Sequence, residues 1–443
     1  MSLSLALLTQ DLRLHDNPVL HAAATGADAV LPVFVLDSAV ERAGFAAPNR
    51  LAFLGDCLAD LDASLRAVGS RLVVRRGPVA ATVADLVAES GAQSVHLAAG
   101  VSGFARRREA ALRERLGERL QLHRASVTAL PPGAVTPAGR DHYAVFTPYL
   151  RAWLDHGHRP VLPAPRVLHT PEGVPGTEVP RARPTSPLLP TGGESTARKL
   201  WRAWDVDQYE AVHDDLAGDA TSRLSPYLHF GCVSATELVD RALRRGTPGA
   251  QAFVRQLAWR DFHHQVLDAR PQAARSDYRS RADRWHHDEQ EAAAWREGRT
   301  GFPVVDAAMR QLAQEGWMHN RARLIAASFL CKSLYQDWRI GADHFLSLLV
   351  DGDVANNQLN WQWVAGTGTD TRPNRVLNPL VQAERFDPTG TYVRRWVPEL
   401  RHVAGRAVHR PWRLTDPPAG YPAPIIPPDQ TARRLREGRE LDG

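Results

Sequence analysis

Nine prolines fall between residues 160 and 190 of this 443-residue chain. Proline fixes φ and lacks an N–H, so such a stretch forms neither regular helix nor central strand. The chain is therefore expected to fold as two regions joined by an extended connector that wraps one onto the other. The two sides of the connector read differently.

On the N-terminal side, short apolar runs alternate with helical patterns. SLALLT, AVLPVFVLD, RLVVRRG and SVHLAAG have the length and continuity of buried parallel strands, and LQLHRASV adds a fifth. Helical patterns lie between them at about 49–68, 79–90 and 103–118. This βαβ rhythm predicts an α/β region with a doubly wound parallel sheet over residues 1–128. No GxGxxG follows the first strand, so no dinucleotide pyrophosphate is expected there. Beyond a linker at 129–190, strand signals almost vanish, and 191–443 reads as all-α. Eleven of the 12 tryptophans lie at 201 or later. About half of them are expected to be plain packing in a large helical core.

No stretch is apolar enough for long enough to span a membrane. The opening MSLSLALLTQDLRLHDNP lacks a basic leader and a cleavage site, and reads as a first strand. Cys57, Cys232 and Cys331 are far apart in sequence with no CxxC, which predicts reduced thiols and a cytoplasmic protein. The net charge of +5 permits an anionic partner without specifying one.

Chemistry concentrates in the helical half. DGDVANNQLNWQWVAGTGTD, residues 351–370, mixes acids, amides and two indoles. Its D-x-D start suits a calcium loop, but Ala355, Asn356 and Gln362 occupy positions that need a ligand, the turn glycine and the final glutamate. No metal is expected. The mixture suits a flat heteroaromatic partner, such as a flavin or a nucleobase. In GDATSRLSPYLHFG, 218–231, the hydroxyls of Thr221, Ser222 and Ser225 and the charge of Arg223 gather at a helix start. That is either a phosphate site or an ordinary N-cap. In QAFVRQLAWRDFHHQVL, 251–267, Gln256, Trp259, Arg260 and His263 share a face. It suits stacking on a base beside a phosphate, or a partly buried structural role. In TGFPVVDAAMRQLAQEGWMHNRARLIAASFL, 300–330, a second helix carries Asn320, Arg323 and Leu324 on one face. Small residues flank Arg323, which predicts partial burial and a carboxylate partner, Asp351 or Asp353.

These segments, with TQDLRLHDNPVL, WRDF, TGFPVVDAAMRQL, GWMHNRARL, DGDVANN and NWQW in the same order, resemble the photolyase/cryptochrome family over essentially the whole chain. Within it the sequence is most similar to the bacterial, deazaflavin-type cyclobutane pyrimidine dimer photolyases. The resemblance implies light-driven repair of cyclobutane dimers in DNA, by electron transfer from reduced FAD to a flipped-out lesion. Tyr209, Thr221, Ser222, Arg223, Leu224 and Ser225 would then hold the flavin's phosphates and ribose. Asp351 and Asp353 would lie near its ring and ribityl atoms, Arg323 would pair with Asp351, and Asn357 would face the central ring nitrogen. Trp259 and Trp363 match the indoles that sandwich the lesion, with Gln256, Arg260, Asn320, Arg321 and Gln382 around it. Trp361, Trp338 and Trp285 match a chain of indoles from flavin to surface.

The N-terminal region would be an antenna domain, its second chromophore near Phe34, Asp37 and Arg50. LAAGVSGFARRR lacks the acid of folate-binding relatives, which favours 8-hydroxy-5-deazaflavin over methenyltetrahydrofolate. A monomer acting on damaged DNA is implied. The chain also departs from the family pattern. Gln256 replaces the usual glutamate, Leu324 a frequent methionine, QLN at 358–360 the usual NGG, and His213 an arginine. Glutamine bonds a pyrimidine edge but cannot ionise. Asn320 and Leu324 are not the histidine pair of (6-4) photolyases. The altered lesion contacts leave a cryptochrome-like blue-light sensor as the alternative.

Overall fold

The computed structural model describes residues 2–440. Five strands, β1 (Leu3–Leu7), β2 (Ala29–Leu36), β3 (Val73–Arg76), β4 (Ser94–Ala98) and β5 (Leu120–His123), form one parallel sheet in the order β3-β2-β1-β4-β5. The apolar runs become strands because both sheet faces are covered, and every residue of β1 is buried. The helices of this region are α1 (Pro18–Gly26), α2 (Ser38–Arg42), α3 (Pro48–Ala67), α4 (Val79–Ser90) and α5 (Gly103–Leu116). Helix α1 was not anticipated from apolar periodicity, yet its start is written in Asn17-Pro18. The Asn17 side chain accepts from the amides of Val19 and Leu20, and Pro18 takes a position that needs no N–H.

The connector holds one helix, α6 (Phe146–His156), and residues 160–190 contain no helix or strand. They are strapped to the sheet's edge. Thr177 N–H donates to Val74 O at 2.8 Å, and Leu168 N–H donates to Val68 O at 2.8 Å. The edge strand β3 is thereby covered.

The rest is helical: α7 (Glu194–Ala203), α8 (Tyr209–Val212), α9 (Ser225–His229), α10 (Ala235–Arg245), α11 (Pro248–Ala269), α12 (Glu289–Arg296), α13 (Pro303–Glu315), α14 (Asn320–Ser328), α15 (Trp338–Leu348), α16 (Val354–Ala365), α17 (Pro379–Phe386), α18 (Thr391–Trp396) and α19 (Arg433–Arg439). The single helix expected over 300–330 is two. Gly316, at φ +60°, ends α13, and His319 caps α14.

One hydrophobic cluster runs from α3 through the connector into α10 and α11, so the α/β and helical regions share a core. Polar pins cross the same boundary. Buried Arg13 donates to the carbonyls of Asp16, Ser126 and Gly231. Cys57 and Cys232, distant in sequence, face each other there as free thiols with Sγ atoms 3.3 Å apart.

Candidate active site

The longest helix, α11, packs along α16, and α14 packs against α16 as well. The functional residues of 251–267, 320–324 and 351–363 are thereby brought together. Asp353 sets the start of α16. Its Oδ1 accepts from the Asn356 amide at 2.8 Å and from Asn356 Nδ2 at 2.7 Å. Burial works to raise the Asp353 pKa, but the neighbouring His264, Arg260 and His229 outweigh it and hold the carboxyl well below its usual range. Asp351 pairs with Arg323 through two bonds of 2.7 and 3.1 Å, and Arg323 Nε donates to Met318 O. The carboxylate that Arg323 needs is Asp351.

Asn357 spends its amide nitrogen inside the protein, on Ala342 O at 3.1 Å and Gln358 Oε1 at 2.9 Å. The group it can offer a ligand is therefore an acceptor, Oδ1. Replacing it with serine puts a shorter hydroxyl there and withdraws that amide oxygen. The Asn357→Ser protein, reduced in the dark and then exposed to air, should regain oxidised flavin absorbance faster than the native one. An unchanged rate would count against Asn357 facing the ring.

The 218–231 segment is a turn followed by a helix, as expected. Helix α9 is only five residues long, Leu224 sits at its N-cap, and no side chain caps it. The turn before it holds Arg223 at φ +50°. Arg223 is bound by Asp219 and Glu315 and lies over the Trp317 ring at 4.3 Å. Ser225 Oγ accepts from Trp317 Nε1, and Ser222 Oγ from Leu224 N. Tyr209 opens α8 against Trp204 and Phe253, its pKa pushed up to about 12 by burial. Thr221 Oγ1, His229 Nδ1 and His319 Nε2 are buried without hydrogen-bond partners among the described residues. Burial pushes both of these histidines down to about 4, so they stand neutral. Unpaired buried polar atoms beside a flat-ligand donor set fit a polar, aromatic cofactor such as FAD.

Trp259 and Trp363 are half-buried, one on α11 and one on α16. Phe146 of the connector lies flat on Trp259, ring centroids 3.7 Å apart and planes within 8°. Arg375 covers Trp363 at 5.4 Å. Gln256 and Asn320 are exposed, Gln382 is half-buried, and Arg321 is held by Asp214 at 2.7 and 3.1 Å. Arg260, expected on the same outward face as Trp259, is turned away. It is buried and donates to Val127 O at 2.8 Å, joining the α/β region to the helices. Leu324 is half-buried beside Arg323.

The three remaining indoles sit on adjoining elements. Trp361 presses on α15 at Gly341, where a Cβ would lie 2.1 Å from the indole. Trp338, three positions earlier, is fully buried and donates to Asp277 Oδ1 at 2.8 Å. Trp285 is half-buried and packs on Tyr335. Among the other tryptophans, Trp153, Trp295, Trp317 and Trp396 are buried, and Trp201, Trp204 and Trp412 partly so.

A cavity of about 1020 Å³ lies between the α/β and helical regions, lined by Phe45, Arg50, Leu54, Arg108, Arg124 and Arg275 among others, and it reaches His229 and Asp353. Of the three expected antenna residues only Arg50 lines it. Phe34 is buried within β2, and Asp37 caps α2 through the Ala39 amide. Arg50 also docks the regions, donating to Phe45 O at 2.9 Å and Leu349 O at 2.9 Å. Burial pushes it down to about 10 against the pull of Asp351. Glu109 serves its own loop, accepting from the Gly100 amide.

Comparison with known proteins agrees in extent and order. Residues 4–167 match a DNA photolyase model, and 253–440 match the FAD binding domain of DNA photolyase. The chain is 60% identical to a deoxyribodipyrimidine photo-lyase of Streptomyces griseus, over 100% of both chains. It superposes on a class III photolyase from Agrobacterium tumefaciens with a TM-score of 0.88 at 31% identity, covering 99% of this chain and 98% of that one. A Synechocystis cryptochrome gives 0.89 at 28% identity, covering 99% of each chain. The chain belongs to the photolyase/cryptochrome family.

Proposed function

We infer that the protein is a light-driven deoxyribodipyrimidine photo-lyase that repairs cyclobutane pyrimidine dimers in DNA. The observation that carries this is the pair of half-buried indoles, Trp259 and Trp363, on packed helices beside the Arg323–Asp351 pair. A dimer within a duplex cannot reach a buried group, so it must leave the stack, and a poorly stacked lesion leaves it cheaply. Trp259 and Trp363 receive the extruded bases, Gln256 bonds a pyrimidine edge, and Asn320, Arg321 and Gln382 meet the strand around it. Bound reduced FAD supplies blue-light absorption and the single electron that opens the ring and returns. The chain's own residues hold that cofactor. Tyr209 and residues 221–225 meet its phosphates and ribose, while Asp353, the Arg323–Asp351 pair and Asn357 meet its ring side. Trp361, Trp338 and Trp285 carry electrons inward when the cofactor is oxidised.

The part of the interregional cavity walled by α2, α3 and α5 is the place for an antenna. Its arginines and apolar walls suit an anionic, flat chromophore, and 8-hydroxy-5-deazaflavin is the one proposed. Among the described residues no helix is long and apolar enough to cross a membrane. A cytoplasmic monomer is the state proposed.

The deciding experiment uses pre-reduced protein and an oligonucleotide with one thymine dimer, under blue light and in the dark. Light-dependent return of intact thymines supports repair. Retention of the dimer with FAD bound and no repair would move the assignment to a light sensor, the reading that likeness to a cryptochrome favours.

Phe146 sets the plane of Trp259 and covers one of its faces, leaving the other for a base. An aromatic pair of this kind contributes about 1 kcal/mol, so Phe146→Leu should weaken dimer binding about fivefold. Binding of undamaged DNA should not change. Equal weakening of both would show that Phe146 only supports the fold.

A further inference from the structure

We propose that Tyr335 is the terminal electron donor of the tryptophan path, giving its electron to Trp285 and its phenolic proton to Asp283. This rests on the reading of Trp361, Trp338 and Trp285 as that path. The Tyr335 ring lies 5.0 Å from the Trp285 ring, with planes at 40°. Its hydroxyl donates to Asp283 Oδ1 at 2.7 Å. The same carboxylate is held by Arg439 Nε at 2.6 Å and Nη2 at 3.0 Å, so its orientation is fixed.

The site is built with some strain. A π-helical turn, Phe329–Ser333, precedes Tyr335, which then adopts φ +54°. Aromatic side chains seldom take that conformation, and such outliers persist where surrounding structure imposes them. Helix α19 supplies the constraint. A Cβ on Gly438 would lie 2.0 Å from the Tyr335 ring, so glycine alone lets the helix close over it. The phenol is 2% exposed, whereas Trp285 is half-open to solvent. A purely structural tyrosine would account for the bond to Asp283. It would not account for a sealed phenol packed at a tilt against the outermost indole of the path.

Burial and the charge of Asp283 push the Tyr335 pKa up, so the phenol begins protonated and must pass its proton on when oxidised. One electron moves from Tyr335 to the Trp285 radical cation and restores the neutral indole. The proton moves along the existing hydrogen bond to Asp283. The products are a neutral phenoxyl radical and a protonated carboxyl. The oxidant is a light-excited oxidised flavin, which has drawn its electron through Trp361, Trp338 and Trp285. A neutral radical shut away from solvent takes an electron back from the flavin slowly, which makes the light-driven reduction last.

The test uses the full chain with oxidised FAD, followed by flash absorption and by electron paramagnetic resonance of rapidly frozen samples. An indole radical should appear and be succeeded by a neutral tyrosyl radical. Ring-deuterated tyrosine should narrow the lines of that second radical in the native protein, with no substitution needed. Tyr335→Phe should lose it and leave the indole radical in place. An indole radical with no tyrosyl successor in the native protein overturns the proposal, as does a tyrosyl signal that survives Tyr335→Phe. Absence of any indole radical, with no light-driven loss of oxidised flavin absorbance, overturns the tryptophan path and Tyr335's place in it.

Discussion

Replacing Arg323 with leucine is expected to strip the protein of flavin while leaving it folded. Arg323 makes two bonds to Asp351, whose side chain is 3% exposed, and a third to Met318 O. Removing one partner of a buried pair leaves the other charge without compensation, which costs about 3–5 kcal/mol. Arg323 itself keeps 23% of its side chain exposed, which puts this pair at the lower end. About 3 kcal/mol corresponds to roughly a hundredfold loss of affinity if it falls on the ligand-holding geometry. The measurements are flavin content after purification and the denaturation midpoint. The paired variant Arg323→Leu/Asp351→Leu separates the causes, because it leaves no orphan charge. Its denaturation midpoint should recover most of the loss while flavin remains absent. A midpoint as low as in Arg323→Leu would assign the effect to packing, and full flavin retention in Arg323→Leu would remove the pair from the cofactor site.

Much of this arrangement is legible in the chain because it depends on local rules. Apolar runs bounded by turns became strands almost where they stand, since a buried parallel sheet needs continuous hydrophobicity rather than alternation. A basic residue among small apolar ones had to find a carboxylate, and Arg323 found Asp351. What local rules do not contain is which neighbour a helix face meets. Arg260 shares its face of α11 with Trp259 by periodicity, yet the end of the α/β region reaches that helix and takes Arg260 through Val127 O. Phe146 and Tyr335 were not singled out because each gains meaning only from a partner more than 40 positions away. Phe34 and Asp37 are placed near a chromophore by resemblance alone, whereas the cavity is lined by residues that follow β1, β2, β4 and β5. The helix break at 316–319 was readable in Gly316 and His319, since glycine takes positive φ readily and the histidine ring accepts from the Arg321 amide.

Trp338→Phe should abolish light-driven reduction of oxidised FAD and leave repair by chemically pre-reduced protein unchanged. The two reactions need different things from this position. Repair needs only the bound reduced cofactor and the lesion, and Trp338 touches neither indole of the lesion site. Photoreduction needs a residue that can lose an electron at the middle of the path, and phenylalanine is far harder to oxidise than indole. The substitution should be tolerated structurally. Phenylalanine fills much of the same fully buried volume, and the lost Nε1–H bond to the Asp277 carboxylate contributes about 1.5–3 kcal/mol. Asp277 is not orphaned by the change, because Arg339 Nη2 remains on the same oxygen at 3.0 Å. Unchanged photoreduction would show that electrons bypass Trp338 and would leave Tyr335 and Trp285 without a route to the flavin. Loss of repair as well as photoreduction, with FAD still bound, would instead mean that the packing of α15 against α16 sets the flavin's reach to the lesion, a role for the Trp361–Gly341 contact rather than for hole transfer.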